Sequence, residues 1–252
     1  MKSPDPKGRP TVSVIMPTLN EIEGVRWVMP RFDKRWIDEI IVTDGGSTDG
    51  TIEYCESQGA RIHRQKKRGY GSSILEALEI AKGDIIVEIT ADGSSLPEKI
   101  PSLVSKLVEG YDLVLASRYR DGAVSDDDDF LTGIGNWMFT TLTNLLFGGS
   151  MTDVLVGYRA YKRKSLDLLN MDAPGLEWVS QSSIRFLKSG LKIAEIGIDE
   201  PKRIGGQRKM LPFKTGWTIL LLTLRERLRA APTVRDTTQP SVSDLPRGRP
   251  AP

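Results

Sequence analysis

The sequence predicts an α/β fold: a mostly parallel central sheet flanked by helices on both faces, with an amphipathic helix near the C-terminus. Three observations predict it. Short Val/Ile/Leu-rich runs recur through the first half and alternate only weakly in polarity, which suits strands covered on both faces. Segments of helical periodicity separate these runs and end at glycines shortly before the next one. Two of the strands also stop abruptly in loops of carboxylates, hydroxyls and glycines, as parallel strands do beside a ligand crevice.

In chain order, strands are expected over residues 12–16, 39–42, 60–64, 84–89 and 112–116. Gly59, Gly83 and Gly110 read as helix C-terminal glycines between them. Pro97 suits a first helical turn, after which Ile100, Leu103, Val104, Leu107 and Val108 recur at helical spacing. In the second half, Ile134, Trp137, Met138, Leu142, Leu145 and Leu146 mark an amphipathic helix ending near Gly148-Gly149. Strands over 157–161 and 192–198 bracket a helix over 178–188. Phe213, Trp217, Leu220, Leu221, Leu224 and Leu228 form a last apolar stripe that ends among Arg225, Arg227 and Arg229. Residues 1–10 are polar and Pro-rich and read as a flexible N-terminus; residues 11–230 read as one domain. From 231 to 252 the chain has no periodicity and reads as a disordered tail.

At 252 residues the chain is long enough for one substantial domain. A net charge of +2 does not suggest bulk nucleic-acid binding, so no nucleic-acid partner is expected. The charge is uneven, with acid at 126–129 and base between Lys202 and Arg229. A single cysteine, Cys55, excludes an internal disulfide and a thiolate metal cluster, and reads as a buried, unreactive thiol. A single histidine, His63, gives little support to a histidine zinc site or a Ser/His/Asp triad. There is no signal-peptide core and no apolar run near the roughly 20 residues of a spanning helix. A cytoplasmic location is expected.

The chemistry gathers at strand ends. The second strand runs into Asp44-Gly45-Gly46-Ser47-Thr48-Asp49-Gly50-Thr51, where Asp44 suits an acceptor for a base imide or amino group, and Thr48 and Asp49 suit helix capping. The first strand ends Met16-Pro17-Thr18-Leu19-Asn20-Glu21; Asn20 and Glu21 either cap the next helix or touch a ribose or base. Gly69-Tyr70-Gly71 follows Lys66-Lys67-Arg68 and opens a helix, a place where backbone N–H groups or Arg68 can meet a phosphate. In Thr90-Ala91-Asp92-Gly93-Ser94-Ser95, Asp92 is the metal candidate, because a hard ion bridging two phosphates takes an oxygen ligand and keeps several waters. The alternative is that Asp92 and Ser94 only shape a turn before Pro97. Glu88, within the strand, is expected to point elsewhere.

Together these stretches resemble the family-2 glycosyltransferases of the GT-A (Rossmann-like) fold, and among them the polyprenyl- and dolichyl-phosphate sugar synthases. The resemblance continues through Ser117-Arg118-Tyr119, Thr152-Asp153, Gly157-Tyr158-Arg159-Ala160-Tyr161, Gly175-Leu176-Glu177, Glu195 and Arg203-Ile204-Gly205-Gly206-Gln207-Arg208-Lys209, covering roughly residues 10 to 229 in the family's order. It implies a nucleotide-sugar half at about 11–120 and an acceptor half at about 121–230. By the same resemblance, Pro17, Asn20, Glu21, Asp44, Arg68 and Gly69 would hold the nucleotide. Asp92, with Ser94, would hold Mg2+ or Mn2+, and Asp92, Asp153 and Arg118 would be catalytic. Arg118, Arg203 and Lys209 would meet an acceptor phosphate. Two departures stand out: Thr90 replaces the usual first acid of Asp-x-Asp, and Gly45 replaces the acid that commonly follows Asp44.

The implied reaction is an inverting displacement that moves a sugar from a UDP- or GDP-sugar to a polyprenyl or dolichyl phosphate. A lipid phosphate is already anionic and needs no general base; a hydroxyl acceptor would need one, for which Asp153 is the candidate. Trp137, Met138, Phe139 and Phe147, with Trp217 and residues 220–222, are apolar beyond one core-facing stripe, and Arg225, Arg227 and Arg229 follow. Apolar anchors beside cations suit a helix lying in a membrane surface, so peripheral association with the cytoplasmic membrane face is expected. Residues 126–129 read as a solvated loop or part of a flap over the site. The alternatives are a soluble acceptor, such as a small phosphorylated acid or a saccharide, and a non-catalytic nucleotide-sensing protein of the same fold. A dinucleotide oxidoreductase is disfavoured, since no G-x-G-x-x-G follows the first strand.

Overall fold

β-branched runs with both faces covered form the centre of the molecule. In the computed structural model, which describes residues 8–205 and 210–231, a seven-stranded sheet carries the order β3-β2-β1-β4-β6-β5-β7. In chain order the elements are β1 (Val12–Thr18), α1 (Ile22–Val28), β2 (Glu39–Asp44), α2 (Thr51–Ser57), β3 (Arg61–Arg64), α3 (Tyr70–Ile80), β4 (Ile85–Glu88), α4 (Ile100–Val108) and β5 (Leu113–Ser117). The second half supplies α5 (Phe130–Phe147), β6 (Arg159–Lys162), α6 (Arg163–Asp167), α7 (Trp178–Lys188), β7 (Ile193–Gly197) and α8 (Pro212–Leu228). The expected strands all form and are parallel except β6, which runs antiparallel between β4 and β5. Val14, Ile15, Met16, Ile41, Val42, Ile86, Val87, Val114 and Leu115 are fully buried, as strands covered on both faces require.

Two local expectations change. Gly83 is not a helix C-terminal glycine: α3 ends at Ile80, and a Cβ at Gly83 would lie 2.5 Å from the Ser13 amide nitrogen, so close packing on β1 is what demands glycine there. Gly59 and Gly110 do sit at positive φ after their helices. The other change is at α5, which starts at Phe130 because Asp129 caps it: its carboxylate accepts from the Thr132 amide at 2.8 Å, in a reciprocal capping box.

Candidate active site

β1 neighbours both β2 and β4, so the strand order reverses beside it, and loops leaving adjacent carboxyl ends diverge there to leave a crevice. Loop 17–21 leaves β1, 44–51 leaves β2 and 90–95 leaves β4. Because β6 is antiparallel, segment 153–157 reaches the same edge from the other direction.

The first two loops lock together. Asp44 is buried and its carboxylate closes its own turn, accepting from the amides of Gly46 (2.7 Å) and Ser47 (2.9 Å), from Thr18 Oγ1 (3.2 Å) and from the Ser47 hydroxyl. Asn20 adopts φ +54°, and its Oδ1 accepts the Thr48 amide at 2.9 Å. Pro17 pairs opposite Thr43 in the register of β1 and β2. Asp49 caps two helices at once: Oδ2 accepts the Ile22 amide of α1 (3.1 Å) and Oδ1 the Thr51 amide of α2 (3.1 Å). Burial works against its ionised form, but these bonds and the Thr51 hydroxyl outweigh it and hold the carboxyl below its ordinary value. Thr51 Oγ1 in turn accepts from the amide of buried Glu21 at 3.0 Å. Asn20 and Glu21 therefore sit between the crevice and the start of α1, held by the loop that follows β2.

At the start of α3 the glycines serve packing. A Cβ at Gly69 would lie 2.2 Å from the Pro174 carbonyl oxygen, and one at Gly71 2.0 Å from that of Ala173. The amides of Gly71 and Ser72 donate to the carbonyls of Gly175 (3.2 Å) and Pro174 (3.0 Å) and are used within the fold, while Arg68 beside them is exposed. His63 is structural: its Nε2 lies 2.7 Å from Glu76, which also accepts the Lys66 and Lys67 amides. Cys55 is buried, and burial with the nearby Asp44 charge pushes its thiol up to about 12, so it is inert as expected.

Asp92 lies at the floor of the crevice. Oδ1 accepts from the Ser94 amide (3.1 Å) and hydroxyl (2.8 Å), and Oδ2 from Arg203 Nη2 at 2.5 Å. Thr90, in place of a second acid, bonds the hydroxyls of Ser94 (3.1 Å) and Ser95 (2.7 Å). The resulting donor set is one carboxylate with hydroxyls beside it, and among the described residues no group of three or more acidic, His or Cys side chains is placed to hold a metal ion by itself. That chemistry fits a hard divalent ion whose remaining ligands come from a diphosphate and water. Gly24 of α1 is needed here, since a Cβ would lie 2.2 Å from the Ala91 carbonyl oxygen. Glu88 points into the interior beneath this loop, where Trp178 Nε1 donates to it at 2.8 Å and Tyr70 lies 3.4 Å away. Its burial raises the carboxyl to about 7, against the pull of Arg159 opposite it in β6.

Just past the end of β5, Arg118 grips fully buried Asp153 through Nε (2.7 Å) and Nη2 (2.9 Å). Its Nη1 reaches Asp128 at 3.3 Å and Glu200 at 3.4 Å. Three carboxylates thus surround one guanidinium, and Asp153, so clamped, is not poised as a general base. Glu200 lines a cavity of about 30 Å³ with Thr90, Ser94, Ser95 and Gly157, and burial holds its carboxyl above the ordinary value, more than Arg118 lowers it. Glu195 positions Asp153 by accepting the Thr152 and Asp153 amides at 2.9 and 3.0 Å. Residues 126–129 are a solvated loop only in part: Asp126 and Asp129 are exposed, but Asp127 lies 3.7 Å from Arg203, Asp128 pairs with Arg118, and Asp129 caps α5. Sequence reading missed Asp128 and Glu200; the one available signal was the clustering of acid between two predicted basic positions. Lys209 lies outside the described residues.

Beside this cluster α5 and α8 present an apolar surface. The buried positions of α5 are Asn136, Phe139, Thr140 and Thr143, whereas Phe130, Leu131, Ile134, Trp137, Met138 and Leu145 are exposed. A water-facing helix has the opposite polarity. On α8, Ile219, Leu222, Thr223 and Glu226 face inward, while Phe213, Trp217, Leu221 and Leu224 face out. Phe139 and Leu222, expected on the outer face, pack inside. Of the three closing arginines, Arg225 and Arg229 fold back onto Asp172 at 3.3 and 2.9 Å. Gly216 packs on Phe139, Gly149 after α5 packs on Leu187 of α7, and Glu226 near the end of α8 pairs with Arg185 of α7. The two helices therefore run side by side in the same direction, with their first turns nearest the crevice. No helix among the described residues is long and apolar enough to cross a membrane.

Comparison with known proteins agrees with this architecture. The family model described as glycosyl transferase family 2 matches residues 13–169. Dolichyl-phosphate hexose transferase of Haloferax volcanii is 31% identical over 226 residues, 86% of this chain and 96% of that protein. Undecaprenyl-phosphate mannosyltransferase of Micrococcus luteus is 30% identical over 225 residues, 84% of this chain and 92% of the relative. Among solved structures, glucosyl-3-phosphoglycerate synthase from Mycobacterium tuberculosis, in complex with Mn2+, UDP-glucose and phosphoglyceric acid, superposes with a TM-score of 0.69 at 26% identity, covering 90% of this chain and 82% of that one. A seven-stranded mixed sheet with the crevice at its order reversal, joined to a family match over more than half its length, makes this chain a member of glycosyl transferase family 2, and a glycosyltransferase.

Proposed function

We propose that this glycosyltransferase moves a sugar, with inversion, from a nucleotide-sugar donor to a polyprenyl or dolichyl phosphate while lying on a membrane surface. The observation that carries the reading is the polarity of α5, whose buried positions are three polar residues and Phe139, while Phe130, Leu131, Ile134, Trp137, Met138 and Leu145 face out beside the crevice. An enzyme that collects a lipid needs such a face, and the two relatives named for lipid-phosphate acceptors match over nearly their whole length.

In this reading Pro17, Asn20, Glu21 and Asp44 border the nucleotide, and Arg68 reaches its phosphates. Mg2+ or Mn2+, held by Asp92 with Ser94 nearby, supplies positive charge to the departing diphosphate. The acceptor phosphate is already an anion, so the locked state of Asp153 costs nothing. Arg118 keeps its bidentate grip on Asp153 and meets the acceptor phosphate by giving up its longer contacts to Asp128 and Glu200. Arg203 bridges Asp92 and the neighbourhood of Asp127, and Lys209 follows it in sequence. The location that fits is the cytoplasmic membrane face.

The test is a screen of radiolabelled UDP- and GDP-sugars against undecaprenyl phosphate in Mg2+ or Mn2+, followed by solvent partition. Label is expected in the organic phase. A second reading, transfer to a small phosphorylated acid, is favoured by the likeness to the solved synthase bound to phosphoglyceric acid. Label confined to a water-soluble product formed from such an acid, with none in the lipid, would overturn the lipid assignment.

A further inference from the structure

The geometry points to Arg203 as an internal counter-ion that occupies the carboxylate of Asp92 until a metal–nucleotide complex displaces it. The inference rests on Asp92 being the metal carboxylate. Both carboxylate oxygens are engaged: Oδ1 by Ser94, and Oδ2 by Arg203 Nη2 at 2.5 Å. A cation at Oδ2 would sit against the guanidinium and compete with it for the same oxygen, so binding there works against the Arg203 contact. The backbone beside Arg203 is fixed to the same loop, since the Ile204 amide donates to the Asp92 carbonyl at 2.9 Å. The Ile204 side chain fills the place where a Cβ at Gly93 would sit, 2.7 Å from its Cδ1. Arg203 is therefore tethered at its Cα and free to swing only at its side chain. Its Nε, moreover, is buried without a hydrogen-bond acceptor and lies 3.7 Å from Asp127, so the resting contact leaves one donor for another partner.

Charge decides which incoming species wins. A bare dication would press on Arg203 without bringing any anion of its own, leaving the guanidinium to Asp127, which lies 3.7 Å from its Nε. A dication carrying a nucleoside diphosphate brings its own anions, and the evicted guanidinium exchanges one charge-assisted partner for phosphate oxygens within reach. With Thr90 in place of a second acid, no other carboxylate in the loop offsets the eviction. Metal and nucleotide should consequently bind as a coupled pair, with Arg203 as the positioning residue that enforces the coupling.

Free Mn2+ measured by electron paramagnetic resonance over the full chain, with and without UDP or GDP, tests this directly. Wild type is expected to bind Mn2+ weakly alone and far more tightly with the nucleotide. Arg203→Met should bind Mn2+ alone about tenfold more tightly, as expected when one competing charged partner is removed, and the enhancement by nucleotide should shrink. Arg203→Gln, which keeps a polar side chain on the loop, should behave alike, and circular dichroism checks that both variants fold. If both folded variants bind Mn2+ alone no more tightly than wild type, while Asp92→Asn abolishes nucleotide-supported binding, the exchange is refuted and the metal site stands. If Asp92→Asn retains nucleotide-supported binding, the metal assignment itself falls and takes the exchange with it.

Discussion

The apolar face of α5 and α8 can be removed without touching the crevice. Phe130 and Phe213 open the two helices and are 86% and 85% exposed. Fully burying a Phe side chain is worth about 1.5–3 kcal/mol, so insertion of two nearly bare rings only part-way into an interface contributes about 3 kcal/mol together. Serine at both positions should therefore weaken partition onto vesicles on the order of a hundredfold. Fold stability should change by less than about 0.5 kcal/mol, as for exposed sites generally. Co-sedimentation with vesicles of phosphatidylglycerol and phosphatidylcholine reads the first quantity and urea unfolding the second. Turnover of a short, water-soluble polyprenyl phosphate should persist in the double variant, because neither ring contacts Asp92, Arg118 or Asp153. Equal vesicle binding by wild type and variant, or none by either, would refute the reasoning. Salt should matter modestly, since Arg225 and Arg229 already pair with Asp172.

Three further outcomes follow from the packing. Glu226→Ala should destabilise the fold by about 3 kcal/mol in urea unfolding, the low end for breaking a buried pair, because Arg185 keeps Asp172 at 2.9 Å; an unchanged midpoint would mean α8 is held by its apolar contacts alone. Glu88→Gln should alter how stability depends on pH. In the fold this carboxyl titrates near 7, above its ordinary 4.5, so the folded chain retains a proton that the unfolded chain has released. Stability is thus lost as pH rises from about 4.5 to about 7, by about 3 kcal/mol at most, and the glutamine variant should lack that fall. Parallel stability–pH curves for the two proteins would contradict it. Gly24→Ala places a methyl 2.2 Å from the Ala91 carbonyl oxygen, a clash with backbone that no rotamer relieves. It should cost about 1–3 kcal/mol and weaken nucleotide-supported Mn2+ binding by displacing Asp92; normal metal titration in a destabilised variant would show that the loop tolerates the shift.

How far the sequence could be read depended on how local the physics was. Strand identity and order along the chain followed from β-branched runs such as 39–42 and 84–89, because burial on both faces leaves its mark residue by residue. Asp49 as a cap was legible from spacing, although its second cap, on Ile22, joins loops far apart in sequence. What could not be read were pairings fixed only by the sheet. Arg118 meets Glu200 across 82 residues, and nothing local distinguishes Asp128, which joins them, from the three aspartates around it. The glycines of 69–71 look the same in sequence whether they cradle a phosphate or admit the 173–175 backbone. Likewise, the apolar stripe of α5 could be counted but not oriented, because its inward side is lined by Asn136, Thr140 and Thr143.

The antiparallel course of β6 has a consequence for how such a chain can change over evolution. Residues 118–158 depart from the end of β5 and return at the start of β6, and both points lie on the same edge of the sheet. The whole excursion, α5 included, begins and finishes at the crevice, and residues 198–205 leave β7 at that edge. Either stretch can lengthen, shorten or be grafted from another enzyme without shifting the register of any strand. The loops after β1, β2 and β4 stay as they are through such exchanges. These two inserts are the parts freest to vary while the loops that form the crevice keep their place.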